Sequence, residues 1–345
     1  MARLPNPDFW RGKRVLLTGC TGFKGAWLTL ILQGLGAEVR GVALAPTTPS
    51  LWTLLGEPCP WLCADLRDPD AAPRALAAEP DVVLHLAAQA LVRAGHRDPL
   101  GTYGSNLMGT VAVLEAVRAQ PSVRAALVVT TDKVYRPGPG AHREGDPLGG
   151  IGPYSASKVC AEVAVEAAQR WAADRGLGLL TARAGNTLGG GDYAEDRLVP
   201  DCIRAAEAGR DVVLRHPLAV RPWQHVLDVL VGYLLLAERA WGHPEDRRPW
   251  NLGPASGDEP SVGDVARAVL AAIGHEDRLV IGEATGPAET AELRLDSTRA
   301  NTELGWQPRL DGQQTVAWTA AWYRRAPAEG ARAVCDEQIR AFQLL

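Results

Sequence analysis

Short apolar runs alternate along this chain with longer stretches in which apolar side chains recur every three or four positions. Six apolar runs precede residue 187, at residues 13–19, 38–44, 60–68, 81–88, 124–132 and 176–186. The stretches between them include residues 106–118 and 154–173, whose spacing predicts amphipathic helices. Strands that alternate with helices in this way are typical of a parallel sheet covered on both faces. The pattern therefore predicts an α/β fold built on a doubly wound parallel sheet.

The pattern changes after residue 186, where a Gly-rich, charged segment is followed by shorter apolar runs. The runs at 211–217 and 261–274 predict a short strand and a helix. Residues 226–255 differ from their surroundings, because a strongly apolar stretch there ends in the strand-like sequence WNLG. We predict a first domain at residues 1–186, to which residues 226–255 return, and a smaller mixed α/β domain at residues 187–345.

The bulk composition allows a sizeable core and excludes several kinds of partner. The chain has 345 residues, is 46% hydrophobic and has a formal net charge of -4 with both signs spread along it. This balance argues against a nucleic-acid surface or a polybasic membrane anchor, and the longest apolar stretch is too short to span a bilayer. The N-terminus lacks a signal-peptide pattern and the six cysteines are scattered. We therefore expect a cytoplasmic protein with reduced thiols and no metal site.

Chemically active side chains follow several predicted strands at the point where each strand ends. In doubly wound sheets, ligands bind outside the carboxyl ends of the strands. The residues that this rule brings together around one crevice are Gly19, Asp65, His85, Thr131 and Arg183. The sequence therefore predicts a single site at this edge of the sheet.

The sequence TGCTGFKG places Gly19, Gly22 and Gly25 at three-residue spacing between the first strand and the first long helix. Glycines at such a turn let the backbone approach a pyrophosphate, whose charge then lies at the helix N-terminus. We therefore expect a Rossmann-type dinucleotide site. The residues leave NAD and NADP open, because no acidic residue follows the second strand and Arg40, which would suit a 2′-phosphate, lies inside that strand. Asp65 is expected to contact the adenine.

Tyr154 and Lys158 lie four positions apart in the sequence PYSASK, so a helix places them on one face. A phenol with a pKa of about 10 is a poor base at neutral pH, and a neighbouring ammonium group favours the phenolate. Beside a nicotinamide, this pair would remove a proton from an alcohol while hydride leaves for the cofactor. Thr131, at the end of the fifth strand, would hydrogen-bond the same alcohol.

These features together resemble the extended short-chain dehydrogenase/reductase superfamily, which includes nucleotide-sugar epimerases, dehydratases and reductases. The matching motifs are TGFKG, HLAAQ, NLMGT and PYSASK, and the resemblance extends over nearly the whole chain. It implies that the dinucleotide is bound by Gly19, Gly22, Phe23, Lys24, Gly25, Asp65, Leu66, Leu86, Ala87, Ala88, Asn106, Tyr154 and Lys158.

The two residues after Thr131 discriminate among the members of this superfamily. Oxidation at carbon 4 of a sugar makes the proton on carbon 5 acidic, and water can then leave from carbons 5 and 6 if an acid and a base are present. Asp132 and Lys133 supply these two groups, although Lys133 can act as a base only if its pKa is depressed. An Asp–Lys ion pair in a turn is the simpler alternative.

Longer stretches, among them TTDKVY, RAGNTLGGGDYAEDRLVPD and RPWQHV, are similar to the nucleotide-sugar 4,6-dehydratases, and to those acting on CDP-glucose in particular. This resemblance implies NAD as a recycled oxidant, a homodimer formed through two long helices, and a 4-keto-6-deoxy sugar as product. It implies that Thr131 and Tyr154 act at the carbon 4 hydroxyl, with Lys158 tuning Tyr154. It also implies that Asp132 protonates the leaving hydroxyl and that Lys133 is the base at carbon 5.

The substrate contacts are predicted from charge and from the same motifs. A nucleotide sugar has two negative phosphates, which bidentate guanidinium groups suit. We expect Arg197 and Arg221 to bind them, and the resemblance adds Gln89, Asn186 and His225 as further substrate contacts.

Three other functions stay open. A 4,6-dehydratase that acts on another nucleotide sugar, such as UDP-N-acetylglucosamine, would use a similar Thr-Asp-Lys sequence. A 4-epimerase would need the threonine, tyrosine and lysine but neither Asp132 nor Lys133. A catalytically silent NAD(P)-binding protein would need none of them. Two departures from the family pattern bear on the choice: Cys20 stands where a histidine is common, and the segment 135–154 is shorter than usual.

Overall fold

The computed structural model describes residues 2–214, 216–255, 257, 260–282 and 293–345. In these residues the strands are β1 (Arg14–Thr18), β2 (Glu38–Ala43), β3 (Trp61–Cys63), β4 (Val82–His85), β5 (Ala125–Val129), β6 (Ala141–His142), β7 (Gly178–Ala184), β8 (Thr187–Leu188), β9 (Val212–Leu214), β10 (Gln224–His225), β11 (Trp250–Leu252), β12 (Leu279–Ile281) and β13 (Arg294–Leu295).

The helices are α1 (Pro7–Trp10), α2 (Phe23–Gly34), α3 (Leu51–Leu54), α4 (Ala71–Leu76), α5 (Val92–Arg97), α6 (Pro99–Tyr103), α7 (Gly109–Ala119), α8 (Gly152–Asp174), α9 (Leu198–Glu207), α10 (Val226–Gly242), α11 (Val262–Ala272), α12 (Gly312–Glu329) and α13 (Ala331–Leu344). Short π-helical turns lie at Gly104–Met108 and Ala300–Leu304, and 3₁₀ turns lie at Asp132–Val134 and Glu276–Arg278.

Within the described residues, seven of these strands form one sheet in the order β11-β7-β5-β4-β1-β2-β3. Every pairing in this sheet is parallel. Helices cover both faces, so the predicted α/β fold with a doubly wound parallel sheet is confirmed. Each of the six apolar runs before residue 187 contains one strand of the sheet.

The alternation of side chains along each strand divides the core into two layers. Leu17 faces one layer, which contains α2 and α10, while its neighbour Leu16 faces the other, which contains α4, α7 and α8. Successive side chains of a strand point to opposite faces, and fully burying a leucine stabilises the fold by about 1.5–3 kcal/mol. Continuous apolar runs therefore stabilise both layers, as expected for a sheet that is covered on each side.

Residues 226–252 join this sheet although they lie far along the chain. β11 pairs in parallel with β7, and α10 packs on β5 and β7. Gly178 permits this approach, because a Cβ atom there would lie 1.8 Å from the carbonyl oxygen of Ala240. The last turns of α10 can therefore pack directly against the start of β7.

A separate apolar cluster lies between α9, α11 and β9. α12 and α13 also contribute to the main core, where Trp322 and Val334 pack in the same cluster as Trp27. The division of the chain at residue 186 into two domains stays a prediction. Among the described helices, none combines the length and the apolar character needed to cross a membrane.

Candidate active site

The turn between β1 and α2 brings its backbone close to a neighbouring loop. Gly19 has φ +73°, and a Cβ atom there would lie 2.8 Å from the backbone nitrogen of Ala87. A Cβ atom on Gly25 would lie 2.2 Å from the carbonyl oxygen of Gly19. α2 begins directly after Gly22, so its free backbone N–H groups lie at this turn. The turn therefore fits the pyrophosphate of a dinucleotide.

The loop after β4 is fixed against this turn by a buried hydrogen-bond chain. The hydroxyl of Thr18 accepts from the backbone N–H of Ala87 at 3.0 Å and lies 2.7 Å from Nδ1 of His85. Nε2 of His85 lies 3.0 Å from the hydroxyl of Thr110. Burial lowers the pKa of His85 to about 3, so this histidine is neutral and positions the segment Leu86 to Ala88.

Asn106 extends this support to α8. Its side chain accepts from the backbone N–H of Gln89 at 2.8 Å and donates to the carbonyl of Gln89 and to the hydroxyl of Ser157. The amide side chain of Gln89 donates to Thr102. The structure thus places Asn106 as a fully buried bridge that holds the loop after β4 against the helix bearing Tyr154.

Asp65 and Arg40 lie in different surroundings. Asp65 follows β3 and accepts hydrogen bonds from Nε and Nη2 of Arg67. These hydrogen bonds lower the pKa of the Asp65 carboxyl. Leu66, beside it, is buried. Arg40 pairs in register with Leu16 inside β2 and lines a shallow surface pocket with Arg14 and Glu38. The structure gives Arg40 no place at the glycine turn, so this arginine does not favour a 2′-phosphate.

Thr131, Asp132 and Lys133 leave β5 through a 3₁₀ turn that Thr131 caps by accepting from the backbone N–H of Lys133. The hydroxyl of Thr131 donates to Oδ1 of Asp132 at 2.8 Å. Nζ of Lys133 lies 3.5 Å from the same oxygen and donates to Oδ1 of Asn186 at 3.2 Å. Oδ2 of Asp132 is buried and has no partner among the described residues. The turn therefore holds a buried carboxyl group and an amine next to each other at the end of β5.

Tyr154 and Lys158 lie on α8, and both are buried. Nζ of Lys158 donates to the carbonyl of Val129 at 3.0 Å, and burial lowers the pKa of Lys158 to about 8. Burial raises the pKa of Tyr154, whereas a hydrogen bond with Thr131 and the charge of Arg197 lower it. The charge of Arg197, a residue that the sequence assigned to the phosphates, therefore favours the phenolate.

A buried ion pair supports α8 from behind. Arg183 donates to both carboxylate oxygens of Glu162, which also accepts from Thr130 and Thr181. Arg183 additionally donates to the hydroxyl of Tyr135 at 3.0 Å. The guanidinium group predicted at the crevice is thus enclosed in the fold, and Glu162, which sequence reasoning missed, is its partner.

Lys24 and Tyr233 form a polar pair, of which the sequence predicted only Lys24 as a site residue. Nζ of Lys24 donates to the hydroxyl of Tyr233 at 3.2 Å. Burial, followed by the charge of Arg197, lowers the pKa of Lys24 to about 7. Tyr233 is fully buried on α10, and a single phenol within the apolar stretch VLVGYLLLA was the signal that could have identified it.

Three other residues predicted to bind the substrate, Arg197, Arg221 and His225, differ in their burial and hydrogen-bond partners. Arg197 reaches the carbonyl of Ala90 at 3.5 Å, and its Nε is buried without a partner among the described residues. Arg221 is buried and donates to the carbonyl of Val220 at 2.8 Å. His225 is fully buried and caps α10 by accepting from the backbone N–H of Leu227. Burial lowers the pKa of His225 to about 3, so its ring is neutral.

Comparison with known proteins agrees with this arrangement. Residues 15–253 match the model of the NAD dependent epimerase/dehydratase family. The chain is 40% identical to the CDP-glucose 4,6-dehydratase of Salmonella typhimurium, over 92% of this chain and 93% of that protein. It is 30% identical to the dTDP-glucose 4,6-dehydratase of Streptomyces griseus, over 90% of this chain and 94% of that protein.

A solved dTDP-glucose 4,6-dehydratase from Streptomyces venezuelae, with NAD and TYD bound, superimposes with a TM-score of 0.78. The alignment covers 91% of this chain and 98% of that one at 24% identity, which supports the fold alone. The match to the family model and the two curated relatives support more than the fold. This chain belongs to the NAD dependent epimerase/dehydratase family.

Proposed function

We propose that this protein is a CDP-glucose 4,6-dehydratase that converts CDP-D-glucose to CDP-4-keto-6-deoxy-D-glucose. The reaction oxidises carbon 4, eliminates water from carbons 5 and 6, and reduces carbon 6 with the same hydride. The 40% identity to the Salmonella typhimurium enzyme over most of both chains supports this choice of substrate. The observation on which the chemistry rests is the turn that places Thr131, Asp132 and Lys133 beside Tyr154.

Tyr154 is the proposed base at the carbon 4 hydroxyl, with Thr131 as its hydrogen-bond partner. The charge of Arg197 lowers the pKa of this phenol against the effect of burial. Lys158 is anchored to the carbonyl of Val129 behind the phenol and is assigned to the nicotinamide ribose. Proton transfer by a positioned side chain accelerates such steps by about a hundredfold or more.

Asp132 is the proposed acid for the leaving hydroxyl, and Lys133 is the proposed base at carbon 5. The buried Oδ2 of Asp132 suits the first role because no described residue engages it. The side chain of Lys133 is 27% exposed, so its amine can reach a sugar in the crevice. An epimerase has no use for either group, which favours a dehydratase.

NAD is the proposed cofactor and, when bound, supplies the acceptor that takes the hydride from carbon 4 and returns it to carbon 6. The close backbone approach at Gly19 and Gly25 fits its pyrophosphate. The other residues assigned to it are Gly22, Phe23, Lys24, Asp65, Leu66, Leu86, Ala87, Ala88, Asn106, Tyr154 and Lys158. The position of Arg40 removes the sequence argument for a 2′-phosphate and so supports NAD over NADP.

Arg197 and Arg221 are assigned to the two phosphates of the substrate, and Gln89, Asn186 and His225 to its remaining contacts. Arg197 is the better supported, since its Nε is buried without a partner among the described residues. His225 fits less directly, because it caps a helix and its ring lies against Trp318.

The homodimer and the cytoplasmic location are proposed from fewer observations. A homodimer through α7 and α8 accords with the apolar side chains exposed near them, since Met108 and Val163 are each 56% exposed. The six cysteines are free thiols, which accords with a cytoplasmic protein.

The test is to incubate the protein with CDP-glucose and NAD and to follow the sugar by proton NMR. A new methyl doublet without net accumulation of NADH is the expected result. A methyl signal from another nucleotide sugar, such as UDP-N-acetylglucosamine, would keep the mechanism and change the substrate. Epimerised sugar that still forms when Asp132→Asn and Lys133→Ala are combined would show a 4-epimerase. Binding of NAD without turnover of any nucleotide sugar would favour a silent protein.

A further inference from the structure

The segment 192–197, which we call the strap, lies directly before α9 and ends with the arginine assigned to the substrate phosphates. Arg204, on α9, donates to the carbonyls of Tyr193 and Ala194 at 2.9 and 3.1 Å. Oδ1 of Asp192 accepts from the backbone N–H of Ala194 at 3.0 Å. The first half of the strap is therefore held by hydrogen bonds within itself and to α9.

Asp196, in the second half of the strap, forms ion pairs with two arginines of α5. Its Oδ1 accepts from Nη1 of Arg93 at 2.7 Å, and its Oδ2 lies 3.6 Å from Nη1 of Arg97. The two arginines lie four positions apart, so the helix places them on one face. The side chain of Asp196 is 21% exposed, less than that of either arginine. Each carboxylate oxygen of Asp196 thus has its own guanidinium partner on α5.

The backbone of Asp196 has a φ of +58°, in the left-handed region that residues other than glycine rarely adopt. Aspartate and asparagine tolerate this region better than other side chains do. Such conformations persist where the surrounding structure holds them, and they are concentrated at ligand-binding sites. Because Asp196 directly precedes Arg197, its conformation sets the direction in which the chain enters Arg197.

The guanidinium group of Arg197 lies beside the residues that precede α5. Its Nη2 lies 3.5 Å from the carbonyl oxygen of Ala90, and its Nε is buried without a partner among the described residues. A buried donor without a hydrogen bond is costly, and a phosphate oxygen is a suitable partner for a guanidinium group. The strap that α5 holds at Asp196 therefore ends in a donor that an anion can satisfy.

α5 also packs closely on the helix that bears the proposed base. A Cβ atom on Gly95, within α5, would lie 3.2 Å from the backbone nitrogen of Tyr154 and 3.5 Å from Nε2 of Gln89. This contact is formed by the glycine and not by the two arginines that pair with Asp196 from the same helix. Loosening the strap should consequently disturb the phosphate contact while Tyr154 stays in place.

We propose that Asp196 is a positioning residue for the substrate diphosphate. Its ion pairs with α5 hold the strap in the conformation in which Arg197 binds a phosphate, so the inference deepens the proposed function and rests on it. By its charge alone, Asp196 would repel an anionic ligand bound to the neighbouring residue. A positioning role predicts the opposite sign, because removal of this negative charge should weaken the binding of a nucleoside diphosphate.

The experiment measures the affinity for CDP by titration calorimetry, in the wild-type protein and in three single variants. Asp196→Asn removes the charge and retains a side chain that tolerates the left-handed backbone. Arg93→Gln breaks the same ion pair from α5, so it tests the proposal even if Asp196→Asn does not fold. Glu195→Gln is the matched control, because it removes the same charge from the exposed neighbouring residue. If the NMR assay identifies another nucleotide sugar, its nucleoside diphosphate replaces CDP.

Asp196→Asn and Arg93→Gln should each weaken CDP binding by about three- to fivefold, the upper part of what an exposed ion pair contributes. Glu195→Gln should bind CDP as tightly as the wild-type protein or more tightly. Added to Arg197→Gln, Asp196→Asn should cause no further loss, because a positioning residue acts through the group that it positions. In turnover, Asp196→Asn should raise the KM for CDP-glucose by the same factor, while kcat changes by less than about twofold.

The proposal is overturned if Asp196→Asn binds CDP as tightly as the wild-type protein or more tightly, because Asp196 would then act only through its charge. It is also overturned if Arg93→Gln keeps the wild-type affinity, or if Asp196→Asn weakens binding equally in the Arg197→Gln background. A fall in kcat without a rise in KM would overturn it as well. A wild-type protein that binds no nucleoside diphosphate and turns over no nucleotide sugar would instead refute the proposed function.

Discussion

Glu162 holds the guanidinium group of Arg183 with both carboxylate oxygens, one helical turn beyond Lys158. Nε of Arg183 donates to Oε1 at 2.9 Å and Nη2 donates to Oε2 at 3.0 Å. Both side chains are almost entirely buried. Burial lowers the pKa of Lys158, and the charge of Glu162 opposes this effect, so the carboxylate favours the ammonium form of Lys158.

Removing one partner of this pair should be strongly destabilising. Arg183→Met leaves the carboxylate of Glu162 buried without its guanidinium partner, and breaking a buried pair in this way costs about 3–5 kcal/mol. The measurement is the free energy of unfolding from urea titration. The matched control combines Arg183→Met with Glu162→Gln, which removes both charges and should recover much of the loss. Equal destabilisation in the single and double variants would show that lost packing, not the unpaired charge, is the cause.

Gly25→Ala should disrupt the turn between β1 and α2. The new Cβ atom would lie 2.2 Å from the carbonyl oxygen of Gly19 and 2.7 Å from Cα of Cys20, and neither backbone atom can move without displacing the turn. We expect at least a tenfold loss of NAD affinity, seen as a smaller thermal shift when NAD is added.

Gly34→Ala is the control for this turn, because Gly34 lies in the same helix and a Cβ atom there meets nothing within 4 Å. Alanine is about 0.8–1.0 kcal/mol more favourable than glycine in a helix interior, and only part of this gain applies to Gly34, the last residue of α2. Gly34→Ala should therefore keep the NAD-induced shift and unfold at the same or a higher temperature. If both variants keep the shift, the close contact at Gly25 does not determine binding.

Tyr154→Phe should abolish the reduction of NAD by the nucleotide sugar, because the carbon 4 hydroxyl loses its base. The expected decrease is at least a hundredfold, measured as reduced nicotinamide in a single turnover. Tyr323→Phe is the matched control, since it removes a half-buried phenol that donates to the carbonyl of Asp192 instead of contributing to the environment of Thr131. Full oxidation by Tyr154→Phe would assign the base to another group.

The sheet could be predicted from the sequence because each strand is buried on both faces and reads as a continuous apolar run. β5 shows this most clearly, since all five of its residues are buried. The ends of elements were less predictable. The helix predicted at residues 106–118 begins with a π-helical turn at Gly104–Met108 before α7, and nothing in the local spacing of apolar residues distinguishes such a turn from an α-helix.

The candidate site was predictable where a residue type has a local motif, as at Gly19, Tyr154 and Lys158. The pKa shifts of the site could not be predicted, because they depend on burial and on charges from distant parts of the chain. The sequence assigned Lys158 to lower the pKa of Tyr154, and this role stays a prediction; the structure adds that burial raises the pKa of Tyr154 while Thr131 and Arg197 lower it. Tyr233 was missed for the same reason, since only the packing of α10 brings it to Lys24.

Asp228 should make the fold less stable as the pH rises, whereas a carboxylate in an ion pair makes a fold more stable as the pH rises. This residue is 1% exposed and accepts from the backbone N–H groups of Arg309 and Leu310. Burial raises its pKa to about 7, against about 3.9 in the unfolded chain.

Because the folded state binds this proton more tightly, the stabilisation is fully present below about pH 4 and is lost as the pH rises through about 7. Asp228→Asn has no such titration, so the free energy of unfolding of the variant should rise relative to that of the wild-type protein between about pH 4 and pH 7. A shift of about three units corresponds to roughly 4 kcal/mol over the whole range.

Urea titrations at several pH values measure this difference, in which the contributions of all other groups cancel. Asp311→Asn, at an exposed helix cap, is the control for the change in net charge. A difference between Asp228→Asn and the wild-type protein that stays constant with pH would show that Asp228 ionises alike in the folded and unfolded states.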